Sequence, residues 1–301
     1  MNPIRGMIVP LVTPLTASHE VDVPALRRLC NLQIAVGIDA LFLLGTTGEF
    51  YGLSPAQRQV VVDTALSSVG GRVPVLAGIS GDSTASSLQV LKDYGRSELA
   101  GYVVSSPYFF DYSQDELQDH FRALTEAAGQ PLILYNYPNR YRHLLEIDTV
   151  EKLLAEKCTF AIKDTAGDFE YMLRLLELRK SFPEFRVFEG SLSNLARSAR
   201  EGLDGAVQAI GNLLPDQCAS IWHRIQTADW EKLEEEVSHT KAFYGQMKGV
   251  APFIAALKAC MSLRGWCGPM PTRPTRQVSP EGMQRLGELM EESYQGVGLK
   301  A

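Results

Sequence analysis

What most limits the fold open to this chain is an eightfold alternation of short apolar runs with longer amphipathic stretches. The runs occupy 6–12, 40–44, 73–79, 101–105, 132–135, 160–163, 186–189 and 204–209. Runs that stay apolar without alternating belong to strands covered on both faces, the situation of a parallel sheet joined by crossover helices. Eight strand-helix repeats ending near residue 228 predict a closed (β/α)8 barrel. An open doubly wound sheet would carry a glycine-rich fingerprint after its first strand, where this chain has Thr13-Pro14-Leu15. The expected organisation is a catalytic barrel over 1–228 and a C-terminal helical extension over 229–301, with helices near 229–246, 250–264 and 280–296.

The segments between the runs are punctuated as helices. Ser113 and Glu116 form a capping box ahead of the stripe Leu117, Phe121, Leu124 and Ala128, which Gly129 stops. Ser54, Pro55 and Gln57 repeat that grammar ahead of Val61, Val62, Ala65 and Leu66. The Pro-rich stretch 269–274 reads as a connector into the last helix.

Composition removes several functional classes. A net charge of −6 with dispersed basic residues offers no cationic stripe for nucleic acid. Residues 1–10 lack a secretory signal, and no apolar run reaches the ~20 residues that span a bilayer, so a soluble, cytoplasmic protein without a membrane partner is expected. Five cysteines without a C-x-x-C pair argue against disulfides and a thiolate zinc site, and the five dispersed histidines show no paired-ligand spacing. No G-x-S-x-G elbow is present. Neither a metal nor an organic cofactor is expected.

In a barrel of this kind, side chains at the carboxyl ends of strands converge on one mouth. Four ends stand out: Gly45-Thr46-Thr47-Gly48-Glu49, Tyr135-Asn136-Tyr137-Pro138, Ile162-Lys163-Asp164-Thr165 and Glu189-Gly190-Ser191. Lys163 follows Phe160, Ala161 and Ile162 into an apolar interior, where lost hydration favours the free amine that attacks a carbonyl. Pairing with Asp164 is the plain structural alternative. Tyr135, on the neighbouring strand, can shuttle protons or simply pack. Thr46 and Thr47, between glycines, can offer hydroxyls and amides to a small carboxylate such as that of pyruvate, or form an ordinary strand-to-helix turn.

Taken together, these strand ends resemble the dihydrodipicolinate synthase and N-acetylneuraminate lyase family of class I aldolases along nearly the whole chain. The resemblance rests on Val12-Thr13-Pro14, the Gly45 to Glu49 loop, Tyr135-Asn136-x-Pro138 and Lys163, in the family's order and spacing. It implies a homotetramer of barrels in which Lys163 forms a Schiff base with a 2-oxo acid, Tyr135 is the acid-base phenol, and Thr46 and Thr47 hold the carboxylate. It also implies that Gly190 and Ile210, or its neighbour Ala209, line the pocket by backbone, and that Arg140 binds a second carboxylate.

Two departures bear on the substrate. Relay-type members present a second tyrosine after the Pro-Tyr pair, whereas Pro107-Tyr108 is followed here by Phe109, leaving Tyr108 or Tyr112 as substitutes. Arg140 is followed by Tyr141-Arg142 instead of Thr-Gly, while Lys163-Asp164-Thr165, Gly190-Ser191 and the 202–205 run resemble 2-keto-3-deoxygluconate aldolases. The expected activity is cleavage or formation of a carbon-carbon bond in a 2-keto-3-deoxy sugar acid or related hydroxylated 2-oxo acid, with an aldehyde as the other partner. The alternatives are dihydrodipicolinate synthase, condensing pyruvate with aspartate semialdehyde, a dehydratase using the same iminium, and a non-catalytic 2-oxo-acid-binding paralogue.

Overall fold

Each apolar run becomes one strand of a closed parallel barrel in the computed structural model, which describes residues 4–95 and 98–294. The strands are β1 (Gly6–Pro10), β2 (Ala40–Leu43), β3 (Val75–Gly78), β4 (Gly101–Ser105), β5 (Leu132–Asn136), β6 (Thr159–Asp164), β7 (Arg186–Glu189) and β8 (Gly205–Val207). They pair in sequence order, and β8 closes on β1 with Gly6 opposite Gly205. Some runs outlast their strands because apolar residues beyond the ladder, such as Leu11, Val12 and Ile79, remain buried under the loops.

The connecting helices are α1 (Val23–Ala35), α2 (Pro55–Val69), α3 (Thr84–Tyr94), α4 (Gln114–Ala128), α5 (Pro138–Tyr141), α6 (Ile147–Ala155), α7 (Phe169–Glu177), α8 (Leu195–Arg200) and α9 (Pro215–Gln226). Both expected capping boxes form, Ser54 with Gln57 and Ser113 with Glu116, and Gly129 ends α4 in the left-handed region. The extension comprises α10 (Trp230–Val250), α11 (Phe253–Leu263) and α12 (Pro280–Ser293). α10 runs past the expected end at 246, its last turn held by the buried Met247 and by Val250 against Gly282 of α12. α12 stops at Ser293 with Tyr294 as its C-cap, and 295–296 of the expected helix lie outside the described residues.

α11 is apolar nearly all round and buried from Ala255 to Met261, as a core helix must be. The exception in that run is Lys258, fully buried, whose Nζ pairs with the equally buried Glu49. No helix among the described residues is long and apolar enough to cross a membrane.

Candidate functional site

The loop after β2 is held in an unusual backbone. Leu44 and Glu49, at its two ends, both adopt left-handed φ values of 55° and 56°, which cost a side-chain-bearing residue energy unless the surroundings enforce them. Here they do. The hydroxyl of Thr13 donates to the Gly48 carbonyl at 2.8 Å. Glu49 accepts from the Thr272 amide and hydroxyl at 2.6 and 2.9 Å while it pairs with Lys258. Thus the Thr-Pro segment after β1 and the extension clamp the loop that presents Thr46 and Thr47.

The parallel register of β5 and β6 sets Tyr135 beside Lys163 and Asn136 beside Asp164, and β7 continues the second row with Glu189. Neighbouring side chains on a strand face opposite ways. Asp164 therefore turns from the lysine toward Asn136, whose Nδ2 donates to it at 2.6 Å. Lys163 is only 6% exposed, with Nζ 3.9 Å from the Tyr135 ring centroid and 5.3 Å from that of Phe42. Among the described residues no carboxylate pairs with it. Burial alone lowers its pKa from 10.5 to about 7, so the free amine is abundant at neutral pH. Burial also raises Asp164 to about 6 and Glu189 to about 8, so near pH 7 Glu189 holds its proton while Asp164 carries the charge of the second row.

Gly190 is required by close approach. A Cβ there would lie 2.2 Å from Thr165 Oγ1, 2.8 Å from the Asp164 carbonyl and 3.2 Å from Lys163 Cε. The Thr165 side chain can rotate, but the carbonyl cannot retreat without loosening the 2.6 Å bond it accepts from the Gly190 amide. Gly190→Ala is expected to lower stability by roughly 1–3 kcal/mol, as overpacking does, and to slow reaction at the Lys163 amine. Thermal melting and adduct kinetics measure the two effects. A variant as stable and as reactive as the parent would remove this role.

Lys163, Tyr135, Thr46, Thr47, Arg140 and Gly190 all line one cavity of about 480 Å³ at the barrel mouth. Ile210 is not among its walls. It is 2% exposed and packed into the core, and its neighbour Ala209 faces the cavity, because β8 ends at Val207 and the chain then winds into a 3-10 turn. Arg142 pairs instead with Asp111 on the surface at 2.6 Å. Of the two tyrosines considered beside Phe109, Tyr108 lines the cavity, whereas Tyr112 packs against His143, and Phe109 itself is 67% exposed.

Of the lining residues that escape sequence reasoning, three carry groups that bear on the chemistry. Tyr141 ends α5, and its hydroxyl lies 2.8 Å from Thr46 Oγ1. Tyr244 and Lys248 come from α10, one turn apart, so the extension forms part of the wall. The i, i+4 spacing of a tyrosine and a lysine on a helix otherwise polar at that face is the faint signal they leave.

A sequence model of the Dihydrodipicolinate synthetase family matches residues 3–293. The chain belongs to this family. It is accordingly a lyase of the class I aldolase type. A 4-hydroxy-tetrahydrodipicolinate synthase of Wolinella succinogenes is 30% identical over 300 residues, covering 97% of this chain and 98% of the relative. A probable 2-dehydro-3-deoxy-D-pentonate aldolase, YjhH of Escherichia coli K12, is 28% identical over 300 residues, covering 96% and 97%. Among solved structures, the family member YagE of E. coli K12, in complex with pyruvate, superposes with a TM-score of 0.90 at 26% identity, covering 96% of this chain and 98% of the other. Family members of different substrate thus stand at nearly equal distance.

Proposed function

We propose that the protein is a pyruvate-type aldolase acting on a 2-keto-3-deoxy sugar acid or a related hydroxylated 2-oxo acid through an imine on Lys163, with no metal or organic cofactor. The observation that carries this reading is a buried lysine in the wall of the mouth cavity with no carboxylate partner among the described residues. The Lys163 amine attacks C2, and loss of water leaves an iminium. The C3–C4 bond then breaks, its electron pair forming C2=C3 while the C=N pair moves onto nitrogen; the C4 hydroxyl loses its proton and leaves as an aldehyde. Protonation of the enamine at C3 and hydrolysis return pyruvate and the amine. Tyr135 manages these protons, and Thr46 with Thr47 fixes the carboxylate.

The cations Arg140 and Lys248 line the outer part of the same cavity and suit an acidic or hydroxylated far end of the substrate. Arg140 also favours a second reading, condensation of pyruvate with aspartate semialdehyde. By analogy with the family we further infer a homotetramer; the exposed Phe109 and Phe110, at 67% and 64%, offer apolar surface for it. The division into a barrel over 1–228 and an extension over 229–301 is retained in this reading, with the extension contributing to the wall. A cytoplasmic setting agrees with five buried free cysteines.

Borohydride reduction in the presence of pyruvate, followed by peptide mass mapping, tests the imine. Because the attacking form is the deprotonated amine, the initial adduct rate should rise about tenfold per pH unit below about 7 and level off above it. No adduct at saturating pyruvate and pH 8 would sink the reading. A panel of aldehydes offered with pyruvate, including glyceraldehyde and aspartate semialdehyde, separates the substrates; strong turnover of the semialdehyde would favour the second reading.

A further inference from the structure

The chain leaves the barrel at Asn136, carries Tyr137, Arg140 and Tyr141 into the wall of the mouth cavity, and is back against the barrel at Leu145, nine residues on. α5 spans only four of these residues, too few to hold a conformation by its own backbone bonds, and Arg142 beyond it takes a left-handed φ of 65°. One side chain closes the excursion. The Leu145 amide donates to Asn136 Oδ1 at 3.1 Å, while Asn136 Nδ2 donates to Asp164 Oδ1 at 2.6 Å. The Tyr171 hydroxyl, from α7, adds a bond to the Leu145 carbonyl at 2.5 Å. Further ties come from the opposite side, ahead of α4: Arg142 pairs with Asp111, the Tyr112 amide donates to His143 Nε2, and the Gln114 side chain donates to the Leu144 carbonyl.

Packing does not account for Asp164. It is 1% exposed, and among the described residues it pairs with no cation and its Oδ2 has no hydrogen-bond partner. A carboxylate buried in that way costs stability that an apolar residue of similar size would not. An ionised carboxylate does what an apolar residue cannot. Because it only accepts, it turns the Asn136 amide nitrogen toward itself and so the amide oxygen toward Leu145. Neither Asn136 nor Asp164 is among the walls of the cavity.

We propose that Asp164 and Asn136 are positioning residues that act together as a clasp, closing the 137–144 loop so that Tyr137 and Arg140 face the second reactant, the aldehyde, in the outer part of the cavity. The proposal rests on reading Lys163 as the imine-forming residue, since an aldehyde has a partner here only when pyruvate is held there. Thr46 and Thr47, after β2, and Lys163, whose side chain turns away from Asp164, are set by other contacts, so capture of pyruvate does not depend on the clasp.

Asp164→Leu removes the acceptor. With pyruvate saturating and glyceraldehyde varied, or aspartate semialdehyde where the parent turns it over faster, KM for the aldehyde should rise roughly tenfold with kcat within about threefold. Amide hydrogen exchange across 137–145 should quicken by on the order of tenfold. The borohydride adduct with pyruvate still forms on Lys163 in full yield. Swapping the pair, Asn136→Asp with Asp164→Asn, puts a carboxylate on β5 that accepts from both neighbours, and should return KM for the aldehyde and the exchange rate to within about twofold of the parent. Unchanged KM for the aldehyde or unaccelerated exchange in Asp164→Leu, or a swapped pair as impaired as the single variant, would overturn the clasp. Absence of adduct in the parent protein would instead overturn the imine reading beneath it. Should Asp164→Leu not fold, Asn136→Ala opens the clasp from the other side and carries the same expectations.

Discussion

Lys163→Met is expected to abolish turnover, on the order of 10⁴- to 10⁶-fold in kcat, while making the protein more stable. The first effect follows from chemistry. Without the amine no iminium forms, and the electron pair released at C3 has nowhere to go but a carbonyl in a site whose cations lie at the outer end. The second follows from burial. The parent holds an amine at 6% exposure with aromatic rings for neighbours and no carboxylate partner among the described residues, and half of that amine is protonated near pH 7. Methionine has nearly the same length, remains flexible and needs no hydration. Removing the desolvated group should return roughly 1–3 kcal/mol. A thermal melt and a borohydride adduct assay on the same preparation read both signs. Retained turnover would eliminate covalent catalysis at this position; a less stable variant would mean that the ammonium has a partner the geometry does not reveal.

Lys258→Met should give the largest loss of stability, roughly 3–5 kcal/mol, because it strands the Glu49 carboxylate in the core. Both side chains are 0% exposed, so no water can replace the missing cation. The loss should extend to the site. Glu49 holds the left-handed backbone at the end of the threonine loop, and a carboxylate that turns outward to regain hydration would carry Thr46 and Thr47 with it, raising KM for pyruvate. Glu49→Gln combined with Lys258→Met removes the orphaned charge yet keeps an oxygen for the Thr272 amide. It should recover most of the stability. A single variant as stable as the parent would show that the pair contributes nothing to holding the loop.

The barrel was legible because parallel strands covered on both faces must be apolar throughout, and eight such runs admit few other closures. The inner residues of the site were legible for a related reason. A polar side chain at the end of an apolar run, as at Lys163 or Tyr135, has few explanations, and register between adjacent strands then brings the two together. What stayed hidden depends on the path of the chain between elements. The four-residue α5 decides that Tyr141 folds back over Thr46, and no periodicity announces a helix so short. Sequence alone does not choose between Ile210 and Ala209, because the wall after β8 belongs to a 3-10 turn, where one residue of phase changes which side chain faces in. Lys258 carried a signal that could have been read: a single lysine inside Phe253–Leu263, a helix otherwise almost free of charge, requires a buried partner. The identity of that partner could not be read across so many intervening residues.

That separation has a consequence for how the protein is made. The Thr272 groups that satisfy Glu49 follow it by 223 positions, and Lys258 emerges only shortly before them. At about 5–20 residues per second of synthesis, Glu49 waits on the order of 10 to 45 s for its partners. Until then the second strand's loop gains nothing by closing over its carboxylate and does better left hydrated. The ribosome therefore delivers the barrel before the clasp, and a chain released early lacks the groups that lock the threonine loop even when all eight strands are present.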